Sequence, residues 1–484
     1  MSISGALNSA LSGLTAVARA ADVVASNTAN AMTEGYARRE LMLSSRNLGG
    51  TGAGVWVDGV ARVFDKVVLT DRRLADAEAT NADARTAFLA AFEALLGKPG
   101  EAGSLSSNVT GFETALIEAA SRPDSEARLA SVLASAQRLT GQLNSLSASL
   151  QHTRTDAEKS IAAQVEVLNS SLGQIDRLNA EILAQRASGR DGTALMDQRQ
   201  KVVDTVATIV PVREVARDND QISLYTTGGA ILLEGNATVI GFSAAGVVTA
   251  DMTLASGALS GLAINGMAVP PGDGGLLGGG SLGAAFALRD DLAPAAQVHL
   301  DAFARDLIAR FESASVDPTL APGDAGLFTD RGAPLVVADE IGLAGRISVN
   351  ALADPKQGGA LWRLRDGLGA AAQGAVGNAA ILTALGDALT EGRVPASGNF
   401  IGAARGAGGL AADILSQVSS ARQSAEAQGA FASARHAALT ELHLADGVDT
   451  DHEMQVLLQI EQAYAANARV MGAMDELIQQ LLAM

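Results

Sequence analysis

The stretch ISGALNSALSGLTAVARAADVVASNT, residues 3–28, carries the pattern that decides the fold of this chain. Its apolar and small residues follow alternating steps of four and three, a repeat of 3.5 residues that places them on one side of an α-helix. The stretch VLLQIEQAYAANARVMGAMDELIQQL, residues 456–481, has the same spacing. We therefore expect an amphipathic helix near each end of the chain, with an apolar seam that needs a partner surface.

The seam positions are the larger apolar residues that occur at these steps. They are Ile3, Leu7, Leu14, Val17, Val24, Val456, Ile460, Val470, Met474, Leu477 and Leu481. Periodicity alone leaves two arrangements open. Either the terminal helices pack on the body of their own chain, or they wait for other subunits to cover them.

Composition limits the kinds of function that we expect of this chain. The chain has 484 residues, enough for several domains, with 35 Lys and Arg against 53 Asp and Glu, a formal net charge of −18. Such a surface repels phosphate backbones and anionic lipid, so we expect no nucleic-acid partner. No apolar run is long enough for a transmembrane helix, so we expect no membrane insertion. The first basic residue is Arg19, which predicts that no secretory signal peptide is present.

The order of segments predicts a mainly α fold with an inserted β domain. Helical spacing covers 66–97, 104–121, 124–187 and 193–209, whereas 212–271 is rich in Gly, Val and Thr with turn signals. We expect an elongated multidomain protein in which the terminal helices form a coiled-coil layer and the β domain lies outermost. The predicted domains are 1–45, 46–211, 212–282, 283–445 and 446–484.

The sequence contains few motifs that suggest a chemical function, and each is better explained by a structural role. GGGSLG, residues 278–283, fits a dinucleotide-binding loop, but no strand or βαβ unit surrounds it, so a flexible link between domains is favoured. Thr450 and Glu453 fit a capping box better than the acidic residues around them fit a calcium loop. There is no cysteine and no nucleophile motif. We expect no catalytic residue, cofactor or metal site.

The two ends resemble bacterial flagellar rod, hook and hook-associated proteins. The family pattern N-N-I-A-N-x-x-T-x-G-Y corresponds here to SNTANAMTEGY, residues 26–36, and the C-terminal patterns G-V-x-x-D-x-E and A-Y-x-A-N-A-R-V begin at Gly447 and Ala463. Ser26, Thr28 and Glu34 stand where members of the family usually have Asn, Ile and Pro. The matching motif residues are Asn27, Ala29, Asn30, Thr33, Gly35, Tyr36, Gly447, Asp451, Glu453, Tyr464, Asn467 and Arg469.

The middle of the chain is similar to the hook-associated protein 1 members of this family. The similarity rests on LMDQRQKVVDTVA with Asp197, on LYTTGGAILLEG, on GGSLGAAFALRDDLAPA with Arg289, and on ASRPDSEARL with Pro123. Residues 230–275 and 313–440 are matched weakly.

The resemblance implies a structural adaptor that assembles as a helical ring of copies at the hook–filament junction, outside the cell, after type III export without a cleaved signal peptide. Its implied partners are hook protein, hook-associated protein 3 and an export chaperone on the C-terminal helix. Two alternatives stay open: another axial component, such as hook-associated protein 3, a hook protein or a rod protein, or a secreted enzyme that carries axial-protein ends.

Overall fold

The computed structural model describes residues 3–33, 35–48, 51–400 and 402–483, and the described chain is mainly helical with small antiparallel sheets. This confirms the predicted fold class. The helices are α1 (Ile3–Asn30), α2 (Lys66–Leu96), α3 (Leu105–Ser121), α4 (Glu126–Ala187), α5 (Thr193–Ile209), α6 (Gly280–Ala287), α7 (Ala293–Phe311), α8 (Arg363–Asp366), α9 (Ala380–Thr390), α10 (Ala407–Ala445) and α11 (Thr450–Leu482).

The strands form four antiparallel sheets in the described part of the chain, in the orders β1-β2, β3-β4-β5-β6, β7-β8-β9 and β10-β11. They are β1 (Arg38–Leu48), β2 (Thr51–Val63), β3 (Val212–Ala216), β4 (Ile222–Thr226), β5 (Ile231–Glu234), β6 (Asn236–Ala237), β7 (Ile240–Gly241), β8 (Leu262–Ile264), β9 (Met267–Val269), β10 (Phe328–Asp330) and β11 (Ile347–Val349).

Helix α4 is the spine of the body. It contains 62 residues and no proline, which at 1.5 Å per residue makes it about 93 Å long. Its first half packs with α3, α7, α9 and the start of α10 around a core that includes Leu139, Phe112 and Phe303. Its second half packs with α5, α6 and strands β3–β5 around a second core that includes Leu168 and Leu224. The insertion therefore shares its apolar core with the helical body.

A buried polar section of α4 separates the two cores. Glu158 lies 2.5 Å from Arg289, and both side chains are fully buried. Arg154 also points inward and donates to the backbone oxygens of Arg289, Thr249 and Met252. Because a buried charge is tolerated only when it is paired and hydrogen-bonded, this section requires the returning chain to lie against α4.

The returning chain meets this section at a π-helical turn. The sequence predicts one helix from 283 to about 313, whereas the structure has α6, a π turn at Leu288–Leu292, and then α7. A π turn holds one extra residue within a helix and shifts the faces that follow. Here the π turn contains Arg289, which meets Glu158.

The GGGSLG segment is a closely packed turn rather than the predicted flexible link. Gly279 and Gly280 have φ angles of 90° and 61°, which favour glycine. A Cβ atom on Gly280 would overlap the backbone oxygen of Ile209. The glycines are needed because the chain passes directly against the end of α5 as α6 begins.

Two long helix pairs connect the body to the chain ends. Helix α2 packs on α10, with Arg435 2.8 Å from Glu78 and His436 2.8 Å from Asp76. Helix α1 packs on α11 and on the β1-β2 hairpin. The boundaries expected after residues 45 and 282 fall inside β1 and α6. Whether the five segments fold as separate domains stays a prediction.

Candidate assembly site

The two predicted terminal helices lie against each other in antiparallel orientation. Gly13 of α1 faces Asn467 of α11, and a Cβ atom on Gly13 would lie 2.9 Å from Asn467 Oδ1. Asn27, near the other end of α1, faces Glu453. The two terminal helices therefore cover each other in part. Of the two arrangements that periodicity left open, packing within the chain accounts for part of the seam.

The α1 side of this seam is only partly buried. Leu7, Leu14 and Val17 are half-buried, whereas Val24 is 5% exposed. The backbone of Ile3 begins α1, and its side chain lies outside the described part of the structure. The N-terminal seam thus keeps apolar surface that α11 does not cover.

On α11, the stripe that faces α1 differs from the expected one in its second half. Its half-buried positions are Val456, Ile460, Ala463, Asn467, Met471, Met474 and Ile478. The predicted positions Val470, Leu477 and Leu481 lie on the flank of this stripe and are 42%, 44% and 58% exposed. A helix with 3.6 residues per turn drifts away from a 3.5-residue repeat by about 20° per heptad, so an extra step of four keeps the seam in register.

The start of α11 differs from the predicted capping box. Asp449 is the N-cap, and its carboxylate accepts from the backbone N–H groups of Asp451 and His452. Glu453 points instead into the interior and is 1% exposed. The correction has a simple cause: the interior contains a cation and an amide that the Glu453 carboxylate binds.

We call the polar cluster at this point the terminal junction, and it consists of Asn27, Tyr36, Arg38, Asp197 and Glu453. Asn27 Nδ2 donates to Glu453 Oε2 at 3.1 Å and to the Arg39 backbone oxygen at 2.9 Å. Asn27 Oδ1 accepts from Tyr36 Oη at 2.9 Å and from the Arg39 N–H at 3.0 Å. Arg38 Nε lies 2.8 Å from Glu453 Oε1. One buried asparagine thus connects α1, the turn, β1 and α11.

Asp197 of α5 attaches this cluster to the body. Its carboxylate lies 3.0 Å from the Arg39 guanidinium and 2.7 Å from that of Arg62. Arg62 also donates to Gln200. Gly35, with a φ angle of 73°, allows the turn to pass close to Lys201, whose Cε would lie 2.7 Å from a Cβ atom there. Both strands of the hairpin are therefore anchored to one face of α5.

Burial and ion pairing shift the pKa values of the arginines in this region in opposite directions. Burial lowers the pKa of Arg38, but hydrogen bonds to Glu453 and Glu40 outweigh it and leave the pKa raised. Burial lowers the pKa of Arg62, and the Asp197 carboxylate offsets only part of that effect. Burial also lowers the pKa of Arg199 to about 10; its guanidinium donates to Asn179 Oδ1 and to the backbone oxygen of Asp220.

The structure brings only some of the predicted motif residues together. Asn30 caps the end of α1 locally by donating to the Ser26 backbone oxygen, and Thr33 donates to Asn30 Oδ1. Gly447 follows the end of α10. The remaining motif side chains are exposed: Ala29, Asp451, Tyr464 and Arg469.

The sequence prediction missed the roles of Arg38, Arg39 and Arg62. The pair Arg38-Arg39 follows Tyr36 after one residue, so the only available signal was its proximity to the motif.

An open groove of about 700 Å³ lies between α2 and α10. It is lined by Asn81, Arg85, Asp273, Phe431 and neighbouring residues. The carboxyls of Asp301 and Asp306, whose pKa burial raises, lie on α7 instead. Among the residues that the structure describes, no group of three or more His, Asp or Glu side chains is placed to hold a metal ion.

Two family models match the chain. The Flagellar hook-associated protein FlgK helical domain matches residues 89–327, and the Flagellar basal body rod FlgEFG protein C-terminal matches residues 445–484. Over these residues the chain is similar to flagellar hook-associated and flagellar rod proteins. The second match covers α11 with Glu453, and the first covers α5 with Asp197, so two of the three helices that meet at the terminal junction lie in regions typical of flagellar proteins.

Curated members of the flagellar hook-associated protein 1 family are similar over about half of this chain. The protein of that name from Salmonella typhimurium is 27% identical over 241 residues, 48% of this chain and 43% of its own length. The Bacillus subtilis protein is 26% identical over 245 residues, 48% of this chain and 46% of its own length. The chain spans less than half the length of the curated relatives it matches.

A solved structure is also similar in part. The flagellar hook junction protein FlgK from Burkholderia pseudomallei is 20% identical, with a TM-score of 0.44, over 54% of this chain and 46% of that one. Within the described residues, no helix is both long and apolar enough to span a membrane.

Proposed function

We propose that this protein is a structural adaptor of the bacterial flagellum that assembles as a ring of copies at the hook–filament junction. The matches to two flagellar family models support a flagellar role. The observation that carries the proposal is the incomplete burial of the paired helices α1 and α11. The terminal junction holds the two helices together, but Leu11, Leu477 and Leu481 are still 54%, 44% and 58% exposed. Exposed apolar rows on paired helices are surfaces that neighbouring subunits can cover.

The proposed partners follow from the same surfaces. Copies of the chain would form the ring, hook protein would lie below it and hook-associated protein 3 above it. An export chaperone would cover the C-terminal helix before type III export, and the protein would act outside the cell. We propose an adaptor rather than an enzyme because the conspicuous buried polar groups, such as Glu158 with Arg289, are engaged in holding segments together.

A variant with Leu477→Asp and Leu481→Asp tests this proposal. Both side chains are exposed in the single chain, so the substitutions should leave its circular dichroism and melting temperature unchanged. Burying two unpaired charges in an assembly contact should lower the fraction of hooks that carry filaments by at least about tenfold. The matched control is Val239→Asp with Val247→Asp, which places the same charges on exposed residues of the insertion.

Immunogold labelling of the wild-type protein fixes its position. Label at the hook–filament junction supports the proposal, whereas label along the hook or within the rod would identify another axial component. Normal filaments on the Leu477→Asp, Leu481→Asp strain would show that these seam flanks have no part in assembly.

A further inference from the structure

The β1-β2 hairpin packs on α1 through part of its surface, and much of β1 is exposed. The contact with α1 includes the Val55 N–H, which donates to Ser12 Oγ at 3.2 Å, and the side chains of Val55 and Val57 are half-buried. Neighbouring residues of a strand point to opposite faces, so Trp56 and its cross-strand partner Ser44 lie on the other side. Trp56 is 56% exposed, and Met42, two residues before Ser44, is 51% exposed. This second surface, the hairpin outer face, consists of Met42, Ser44, Arg46, Trp56 and the exposed Asp58, whose carboxylate accepts from Ser44 Oγ at 3.1 Å.

The chemistry of the hairpin outer face is that of a protein contact. The Arg46 guanidinium lies 5.9 Å from the centre of the Trp56 ring. Trp, Arg and Met are enriched in the centres of protein interfaces, and Trp and Arg dominate their binding energy. Arg46 has no carboxylate partner among the described residues, and it is an exposed cation in a chain whose net charge is −18.

A complementary surface lies on α11. Leu457, Glu461 and Tyr464 are spaced four and three residues apart and share one side of the helix. Leu457 is 37% and Tyr464 53% exposed, and Glu461 is exposed without a cationic partner in the part of the chain that is described. We call this surface the α11 rim. It offers two apolar side chains around one carboxylate.

We propose that the hairpin outer face of one copy binds the α11 rim of a neighbouring copy, with Arg46 against Glu461 and Trp56 between Leu457 and Tyr464. Both surfaces are exposed within one chain, so the proposed contact joins two copies. Because the two surfaces differ, each copy can bind one neighbour through its hairpin outer face and a second neighbour through its α11 rim. A heterologous contact of this kind generates a ring or helix. The inference rests on the proposed function and names the surfaces that would carry it.

Site-specific photo-crosslinking tests which molecule covers the hairpin. Ser44 is replaced by the photoreactive p-benzoylphenylalanine in the full chain, and intact hooks are irradiated. An adduct of twice the mass of this chain, with the second peptide from α11, supports the proposal. An adduct with hook protein, another axial protein or a chaperone overturns it, and so does the absence of any adduct when the chain is present at the hook tip. Absence of the chain from the flagellum would instead refute the proposed function itself.

Charge reversal tests the pairing of the two surfaces. Arg46→Glu and Glu461→Arg, each with the crosslinker at Ser44, should lower the self-adduct yield about threefold, and the double variant should restore it. Arg190→Glu, at an exposed turn after α4, makes the same charge change as a control and should leave the yield unchanged. A double variant that crosslinks no better than either single variant would overturn the Arg46–Glu461 pairing.

Discussion

The spine helix α4 and the terminal pair α1–α11 have similar apolar periodicity, but their apolar residues are buried to different extents within the chain. In α4, Leu139, Leu168 and Ile175 are 0% exposed because segments from both halves of the chain surround them. In the terminal pair, Leu14 is half-buried and Leu481 is 58% exposed. Apolar spacing therefore specifies which side of a helix needs cover, and the number of neighbours within the chain decides how much cover it receives.

The largest expected effect lies in the body. Leu168→Ala should lower the free energy of unfolding by about 2 to 5 kcal/mol, since it removes buried methylenes and leaves a cavity. Leu14→Ala in the half-buried seam should cost only about 1 kcal/mol in the isolated chain. Urea unfolding followed by circular dichroism measures both. Equal losses would mean that the seam is as well covered as the spine.

The next effect concerns the terminal junction. Asn27→Ala removes the partner of Tyr36, of the Arg39 backbone and of Glu453, and should cost about 1 to 3 kcal/mol because buried polar groups are left unpaired. Amide hydrogen exchange in 24–40 and 450–456 should become faster while exchange in α4 stays unchanged. Asn30→Ala, which loses only the local bonds to the Ser26 backbone oxygen and to Thr33, is the control. Unchanged exchange in Asn27→Ala would show that the ends hold together without the junction.

Two helical glycines give a smaller contrast. Gly141 of α4 is exposed, and a Cβ atom added there would have no neighbour within 4 Å, so Gly141→Ala should stabilise the body by about 0.5 to 1 kcal/mol. Gly13→Ala should stabilise the protein less than Gly141→Ala does, or destabilise it, because the new Cβ would displace Asn467. Thermal melts of the two variants compare them. A full gain at Gly13 would mean that α11 does not lie against this point of α1.

The smallest effect depends on pH. Burial lowers the pKa of His299 below its ordinary value of 6.5, so the unfolded chain binds a proton more readily and stability should fall as the pH drops below about 6.5. His299→Gln should remove this part of the pH dependence. His452→Gln, at an exposed site at the start of α11, should retain it. Urea midpoints at pH 7.5 and 5.5 would contradict this if both variants followed the wild type.

Prediction from sequence was most successful where a pattern is local. The long helix expected over 124–187 appears as Glu126–Ala187, and 193–209 appears as α5, because helical spacing without proline is sufficient to identify them. The site was harder to predict. Asn27, Tyr36 and Glu453 were identified through family motifs, but their mutual contacts join residues 426 positions apart, and local spacing carries no information about such distances.

The sequence by itself determined the helices, their amphipathic character and the resemblance of both chain ends to flagellar proteins, since these depend on residue type and spacing. Only the tertiary structure decided that Glu453 binds Asn27 and Arg38 instead of capping α11, and that the glycines of residues 278–283 form a tight turn. It also decided that the α11 seam passes through Met471 and Ile478. Each of these outcomes depends on which distant group lies within a few ångströms, and that is set by packing of the whole chain.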